Sequence, residues 1–231
     1  MSKKLSDYYK NFETQIEKIA QNIKNGEAKP KLLLHSCCAP CSSAVLEKLM
    51  QYFDITIFFY NPNIYPQAEY LRRKEELYKF LPIFLKDKEP VIIELLYEPK
   101  EFYDAIKNVE NFENMKEKSE RCFKCYKLRL MRCAKKAFEQ HFDYFTTTLS
   151  ISPHKDAERI NEEGKSIENL LRSENPKEKI PEYLFADFKK KNGFKRSLEF
   201  SEKYGLYRQD YCGCIYSREQ KPKDNIQNPK I

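Results

Sequence analysis

The sequence predicts an α/β protein built on a mainly parallel sheet. Short runs of branched and aromatic apolar residues, typical of buried strands, alternate with longer segments whose apolar residues recur at helical spacing. A chain of 231 residues that is 41% hydrophobic can bury one sizeable core, but two complete cores would be difficult. Because strand–helix alternation joins successive strands by right-handed crossovers, the strands are expected to run parallel.

The predicted elements follow one another along the whole chain. Apolar runs predict strands over residues 31–35, 55–60, 91–96 and 144–148. Helical spacing predicts helices over residues 4–24, 42–52, 67–80, 102–108, 124–140, 155–171 and 197–204. No internal repeat or low-complexity linker divides the chain, so residues 1–231 are expected to form a single domain. It would comprise a core over about 31–217, an N-terminal helix at 1–25 and a basic tail at 218–231.

Charge and apolar patterning bear on the partners and the compartment. The formal net charge of +7 fits a polyanionic partner, but a lysine-rich composition alone gives the same excess. The N-terminus lacks the apolar run of a signal peptide, and no segment approaches the roughly 18 apolar residues that span a bilayer. The protein is therefore expected in the cytoplasm, without a membrane partner. Since thiols stay reduced there, its 8 cysteines indicate metal or redox chemistry rather than structural disulfides.

All but one of the cysteines fall in three tight groups, two of them at predicted helix starts. The groups are Cys37, Cys38 and Cys41 after the first strand, Cys122 and Cys125 at the start of a helix, and Cys212 and Cys214 on either side of a glycine. A thiolate at a helix N-terminus has a lowered pKa, and the thiolate is the form that binds metal. Ligands of parallel sheets bind beyond the carboxyl ends of the strands, where the first group is expected to lie.

Four interpretations of the cysteines compete. Structural zinc needs four ligands, commonly in two CxxC knuckles, and only Cys122 and Cys125 have that spacing. A thioredoxin-like dithiol would leave two groups unexplained. Inert buried cysteines do not cluster at loop–helix junctions, although Cys133, inside a predicted helix, is interpreted in that way. An iron–sulfur cluster on four thiolates with a separate redox pair uses nearly every cysteine.

The sequence resembles the QueH family of epoxyqueuosine reductases in six motifs that occur in the expected order. The motifs are LLLHSCCAPCSS (32–43), YNPNIYP with the following EYLR (60–66 and 69–72), RCFKCYKLRL (121–130), FTTTLSISPHKD (145–156), LFADFKKKNGF (184–194) and YRQDYCGCIYS (207–217). A lone CxxC would be a weak signal, whereas six ordered motifs are a specific one.

The resemblance implies a fold, a reaction and a cofactor. The fold would have a HUP-like (adenine nucleotide α-hydrolase-like) core, and the reaction would reduce epoxyqueuosine at the wobble position of tRNA to queuosine, the last step of queuosine biosynthesis. The implied ligands of a [4Fe–4S] cluster are Cys37, Cys38, Cys122 and Cys125. The resemblance makes Cys212 and Cys214 a redox-active pair, reopened by an external electron donor, and Cys41 a candidate ligand of an additional iron.

Substrate contacts are less specific in the sequence. The candidates for binding the nucleoside or its phosphates are Tyr60, Asn61, Tyr65, Arg72, Arg129 and Asp156. Packing, an ion pair or a helix cap competes with substrate binding at each of them. One of His154, Lys155 and Asp156 is a candidate proton donor.

Two other function classes are open to test. A thiolation protein of the HUP type that uses ATP should carry a glycine-rich loop after the first strand, where this chain has Ser36, Cys37 and Cys38. A zinc-stabilised binding module without catalysis would contain zinc and no acid-labile sulfide.

Overall fold

The fold is a five-stranded sheet, all of it parallel, with helices on both faces. The computed structural model describes the backbone of residues 2–86 and 89–220, and side chains from residue 8 onward within those ranges. The strands lie in the order β3-β2-β1-β4-β5 and comprise β1 (Lys31–Ser36), β2 (Asp54–Phe59), β3 (Ile92–Glu94), β4 (Tyr144–Thr147) and β5 (Glu182–Tyr183). The predicted α/β class with a parallel sheet is confirmed.

The helices of the described part of the chain connect these strands. They are α1 (Ser2–Lys24), α2 (Ala39–Leu49), α3 (Gln67–Leu85), α4 (Pro99–Ile106), α5 (Glu120–Glu139), α6 (Ala157–Glu174), α7 (Gly193–Tyr204) and α8 (Ile215–Glu219). Short 3-10 turns lie at Phe112–Asn114 and Thr148–Ile151. None of the helices in these ranges is long and apolar enough to cross a membrane. Most of the predicted basic tail, from residue 221, lies outside the described residues.

One difference from the predicted elements bears on the site. The helix predicted over 42–52 begins at Ala39 and ends at Leu49. Pro40 lies in its first turn and favours a helix start here, because a proline has its φ already set and the first turn needs no backbone hydrogen-bond donor. Cys38 is therefore the N-cap residue, and Cys41 lies within the first turn rather than before the helix.

Two apolar cores cover the two faces of the sheet, as the alternation of side chains along a strand requires. Leu32 and Leu34 of β1 point into the core under α1, α2, α3 and α7. Leu33, between them, points into the core under α5 and α6. Both cores are closed by large side chains, so the central strand is buried on both sides.

The strand order places a topological switch point between β1 and β4. From β1 the chain goes to β2 and β3 on one side, and β4 and β5 lie on the other. The loops after β1 and β4 therefore diverge and leave a crevice at the carboxyl edge of the sheet. His35 is buried beside it, with Nδ1 2.8 Å from Thr147 Oγ1 and Nε2 3.1 Å from the Tyr60 carbonyl.

Candidate metal and redox site

Three thiols converge in the loop after β1. The Sγ atoms of Cys37, Cys38 and Cys41 all lie within 4.8 Å of one another, which is close enough to hold one metal ion. Cys37 and Cys38 are buried, and Cys41 is half-buried. Gln209 donates a hydrogen bond to Cys38 Sγ at 3.1 Å, which joins this group to the C-terminal segment.

The three thiols differ in pKa. Hydrogen bonds from Cys38 and Cys41 hold the pKa of the Cys37 thiol well below its usual range. The hydrogen bond to Cys37 raises the pKa of Cys38 to about 12, and the hydrogen bonds to Cys37 and Cys38 raise the pKa of Cys41. The group therefore carries its first negative charge on Cys37. The predicted lowering is found for Cys37 alone, and hydrogen bonds from the neighbouring thiols are its largest cause.

The second and third cysteine groups share one small cavity. Cys122 and Cys125 lie in the first turns of α5, where a three-residue spacing puts both side chains on one face. Cys212 and Cys214 line the same cavity from the C-terminal segment. Gly213 between them has a φ of +125°, a conformation that side chains disfavour, so the tight turn requires glycine.

Buried guanidinium groups surround the thiols. Arg73, Arg121 and Arg129 are each at most 2% exposed. Arg73 forms an ion pair with Glu69 at 2.6 Å, while Arg121 and Arg129 donate to the carbonyls of Phe112 and Cys125.

All three guanidinium groups keep unpaired N–H groups. Among the described residues, Nη2 of Arg73, Arg121 and Arg129, and Nε of Arg121, have no hydrogen-bond partner. A buried cation without an anion is costly, so the site suits a group with negative charge, such as a set of thiolates on a metal.

An open cavity of about 450 Å³ gives access to the site. Its wall includes Cys37 and Cys41 from the first group, Cys212 from the third, and the side chains of Arg129 and Lys155. Arg129 and Cys212 also line the small cavity around Cys122 and Cys125. The two thiol-lined spaces are thus neighbours with a common wall.

Comparisons with known proteins decide the family. The sequence model of the family described as "Epoxyqueuosine reductase QueH" matches residues 32–220. The chain belongs to the QueH family. A protein named Epoxyqueuosine reductase QueH from Streptococcus pyogenes serotype M1 is 37% identical over 95% of this chain and 83% of its own length. Proteins of the same name from Acinetobacter baylyi and Thermotoga maritima are 40% and 33% identical, over 84% and 80% of this chain and 84% and 89% of their own lengths.

Membership in the QueH family, a family of enzymes named as reductases, confirms the predicted family and the oxidoreductase class. The structure shows that Cys37, Cys38 and Cys41 lie close enough together to hold a metal ion.

The aromatic and amide candidates for substrate contacts lie in different surroundings. Tyr60 is 2% exposed and its hydroxyl donates to Glu101, which favours packing over stacking on a base. Asn61 is buried and its amide donates to the Ser36 carbonyl at 2.9 Å, tying β2 to β1. Tyr65 is 41% exposed and remains accessible.

The charged candidates for substrate contacts also lie in different surroundings. Arg72 is exposed, and its guanidinium carbon lies 3.4 Å from the centre of the Tyr207 ring. Arg129 is buried among thiols, so it is not placed for a surface phosphate contact. Asp156 is the N-cap of α6 and accepts from the Arg159 amide at 3.0 Å, which supports the helix-cap interpretation.

Sequence reasoning missed several residues of the site. Arg73 and Arg121 were not predicted, because an arginine buried beside thiols has no distinctive spacing. Gln209 lies in the motif that contains Cys212, and that proximity was the available signal. Cys133 is fully buried with Sγ 3.7 Å from the Leu33 carbonyl, so its interpretation as a packing residue is confirmed.

Proposed function

We propose that this chain reduces the epoxide of epoxyqueuosine in tRNA to the alkene of queuosine. Membership in the QueH family supports the reaction. The observation that carries the proposal for this chain is the common wall of the two thiol-lined cavities, one of them open and large enough for a nucleoside. We propose further that residues 1–231 act as one catalytic domain in the cytoplasm, where the thiols stay reduced.

We infer that the thiols hold a [4Fe–4S] cluster. Cys37, Cys38, Cys122 and Cys125 are its proposed ligands, and the unpaired N–H groups of Arg129 and its neighbours suit its negative charge. When bound, such a cluster supplies single electrons and a Lewis-acidic iron. Cys41 is half-buried at the open cavity beside Cys37, and it is the proposed ligand of an additional iron.

Cys212 and Cys214 supply the electrons and protons that the epoxide consumes. Removal of the oxygen as water takes up two electrons and two protons, and closing two thiols to a disulfide releases the same numbers. An external dithiol or other electron donor then reopens the disulfide. Cys212 lines the open cavity, so the pair is placed between that cavity and the buried thiols.

The nucleoside would enter the 450 Å³ cavity from a tRNA loop. Recognition of RNA bases generally uses unstacked nucleotides, and enzymes that modify a base take it out of its stack. Tyr211 and Phe194 line the cavity and offer rings for stacking, and Arg208 offers a cation at its wall. The net charge of +7 supports a polyanionic partner.

Metal analysis of anaerobically reconstituted protein tests the cofactor. We expect iron, acid-labile sulfide and a brown colour, lost in most part from Cys37→Ala, Cys38→Ala, Cys122→Ala and Cys125→Ala. Cys133→Ala is the matched control and should keep the iron, because Cys133 packs against Leu33 away from these groups. Stoichiometric zinc without sulfide would contradict the proposal.

A double substitution separates the redox pair from the ligands. Cys212→Ser/Cys214→Ser should retain iron and sulfide but lose turnover on epoxyqueuosine-containing tRNA. This test is needed because Cys122, Cys125, Cys212 and Cys214 line one cavity. Loss of iron in the double variant would show that Cys212 and Cys214 are metal ligands. Full activity of the double variant would show that they have no redox role.

The salt dependence of binding tests the tRNA partner. If lysines and arginines neutralise phosphates, the affinity for tRNA falls steeply as salt rises, because counterions are released on binding. An affinity that does not change with salt would assign the positive charge to composition alone. Deletion of residues 221–231 tests whether the tail contributes.

A further inference from the structure

The two cysteines of the proposed redox pair have different surroundings. Cys212 is half-buried and lines the open cavity. Cys214 is 6% exposed and donates to Ser217 Oγ at 3.5 Å. Burial raises the pKa of the Cys214 thiol, so Cys214 favours its protonated form.

Lys155 supplies a positive charge to one of the two. Its ammonium donates a hydrogen bond to Cys212 Sγ. Lys155 is only 8% exposed, and the hydrogen bond to Cys212 places its ammonium against a thiol. A buried ammonium needs an anion, and Cys212 Sγ is the acidic group it contacts.

The backbone around Lys155 holds it in place. Its amide donates to the Ser152 carbonyl at 3.2 Å, and the next residue, Asp156, caps α6. Burial alone would lower the pKa of Lys155, but its interaction with Cys212 outweighs burial and raises the pKa above its usual value. Lys155 therefore remains an ammonium at neutral pH.

We propose that Lys155 keeps Cys212 as the thiolate member of the redox pair and carries the second proton of the reaction. The inference rests on the proposed function and makes Lys155 a proton donor within it. Lys155 also lines the open cavity, so its proton has a path to a bound nucleoside.

The step balances in atoms and electrons. The sulfur atoms of Cys212 and Cys214 lose one electron each and form the S–S bond. One proton leaves the Cys214 thiol and the other leaves the Lys155 ammonium, and both reach the epoxide oxygen, which departs as water. A donor dithiol then returns two electrons, restores the Cys214 thiol and the Cys212 thiolate, and returns the second proton to Lys155.

Other charged and titratable groups act on this pair from the neighbouring elements. They are Tyr126, Arg129 and Cys125 from α5, Glu117 from the loop before it, Cys214 from the same turn, and Arg73 from α3, which donates to the Cys212 carbonyl. Among these groups only Lys155 contacts Cys212 Sγ directly in the described structure.

Alkylation of iron-loaded, reduced protein by iodoacetamide tests the inference. Peptide mass spectrometry gives separate rates for Cys212 and Cys214, from about pH 6 to about pH 8.5, around the ordinary thiol pKa. An adjacent cation lowers a thiol pKa by about one unit or more. The wild-type rate at Cys212 should therefore exceed that of an ordinary thiol at pH 7, and Lys155→Met should slow it about tenfold at that pH.

Two further variants separate charge from packing. Lys155→Arg keeps the charge and should restore the rate at Cys212 to within about threefold of wild type. Lys107→Met, which removes an exposed lysine paired with Asp104, is the matched control and should not alter it.

Several results would overturn the inference. An unchanged Cys212 rate in Lys155→Met, or an equal loss in Lys155→Arg, assigns Lys155 to packing. If Lys155→Met does not fold, the wild-type profile decides, because a Cys212 rate that rises tenfold per pH unit up to about pH 8.5 shows an ordinary thiol. Iron and queuosine are measured on the same preparation. Failure of the proposed function shows as missing product in the wild type, whereas failure of this inference leaves wild-type product formation intact and leaves the Cys212 alkylation rate unaffected by Lys155→Met.

Discussion

Replacement of Arg129 tests whether the buried cations serve the metal centre. Arg129 is 2% exposed and lies on the wall between the two thiol-lined cavities. The acidic groups with the largest effect on it are Cys125, Cys212 and Cys37, so its anions are thiols rather than carboxylates. Arg129→Met removes this charge from the middle of the site and keeps much of the side-chain volume.

The expected effect differs between the iron-loaded and the metal-free protein. Removing one partner of a buried ion pair costs about 3–5 kcal/mol. Since about 1.4 kcal/mol corresponds to a factor of ten in affinity, the affinity of the protein for iron should fall by about a hundredfold to a few thousandfold. In the metal-free protein burial raises the pKa of Cys125 to about 12, so this thiol is protonated at pH 7 and offers Arg129 no anion. The Cys37 thiolate remains as an anion for Arg129 in this form, so the free energy of unfolding of the metal-free protein should fall by less than about 3 kcal/mol.

Two measurements and one control decide this prediction. A chelator titration gives the concentration at which half of the iron is lost, and urea unfolding gives the stability of the metal-free protein. Arg132→Met removes an exposed arginine of the same helix, paired with Glu101 at 2.7 Å, and should leave iron retention unchanged. Wild-type iron retention in Arg129→Met, together with a large loss of stability in its metal-free form, would refute the reasoning and make Arg129 a structural residue.

Three further substitutions have defined outcomes. Gly164→Ala should lower the free energy of unfolding by about 1–3 kcal/mol in urea, because the added Cβ would lie 2.3 Å from the Tyr183 ring; a neutral result would contradict this packing. Tyr126→Phe should leave the stability of the metal-free protein within about 0.5 kcal/mol of wild type, since its buried hydroxyl has no partner among the described residues. Asp156→Ala should cost about 1 kcal/mol by removing the N-cap that accepts from the Arg159 amide. KM for tRNA should not change in this variant, and a large rise in KM would restore Asp156 as a substrate contact.

The sequence was sufficient to predict the strands and the positions of the cysteine groups. The four predicted strands are all present, because short apolar runs flanked by turn residues are typical of buried strands. β5 was missed because Glu182–Tyr183 is too short to show alternation. The start of α2 was also misplaced, because Pro40 was taken as part of the loop although it suits a first helical turn.

The arrangement of the cysteines could not be predicted from spacing. Cys122 and Cys212 line one cavity although they are far apart in the chain, and such proximity depends on tertiary packing. The same holds for Lys155 and Cys212, which meet because the loop after β4 and the C-terminal segment converge at the switch point. The burial of the arginines could not be predicted for a related reason, because the anionic groups around them come from elements that are distant in the sequence.

A single turnover without external reductant tests the central claim most directly. Anaerobically reconstituted protein is mixed with a small excess of epoxyqueuosine-containing tRNA, and iron, sulfide, free thiols and queuosine are measured on the same sample. The account predicts protein that contains iron and sulfide, forms about one queuosine per chain and loses two free thiols, at Cys212 and Cys214. Queuosine formed without thiol loss would contradict the redox pair, and protein that holds zinc and forms no queuosine would contradict the account as a whole.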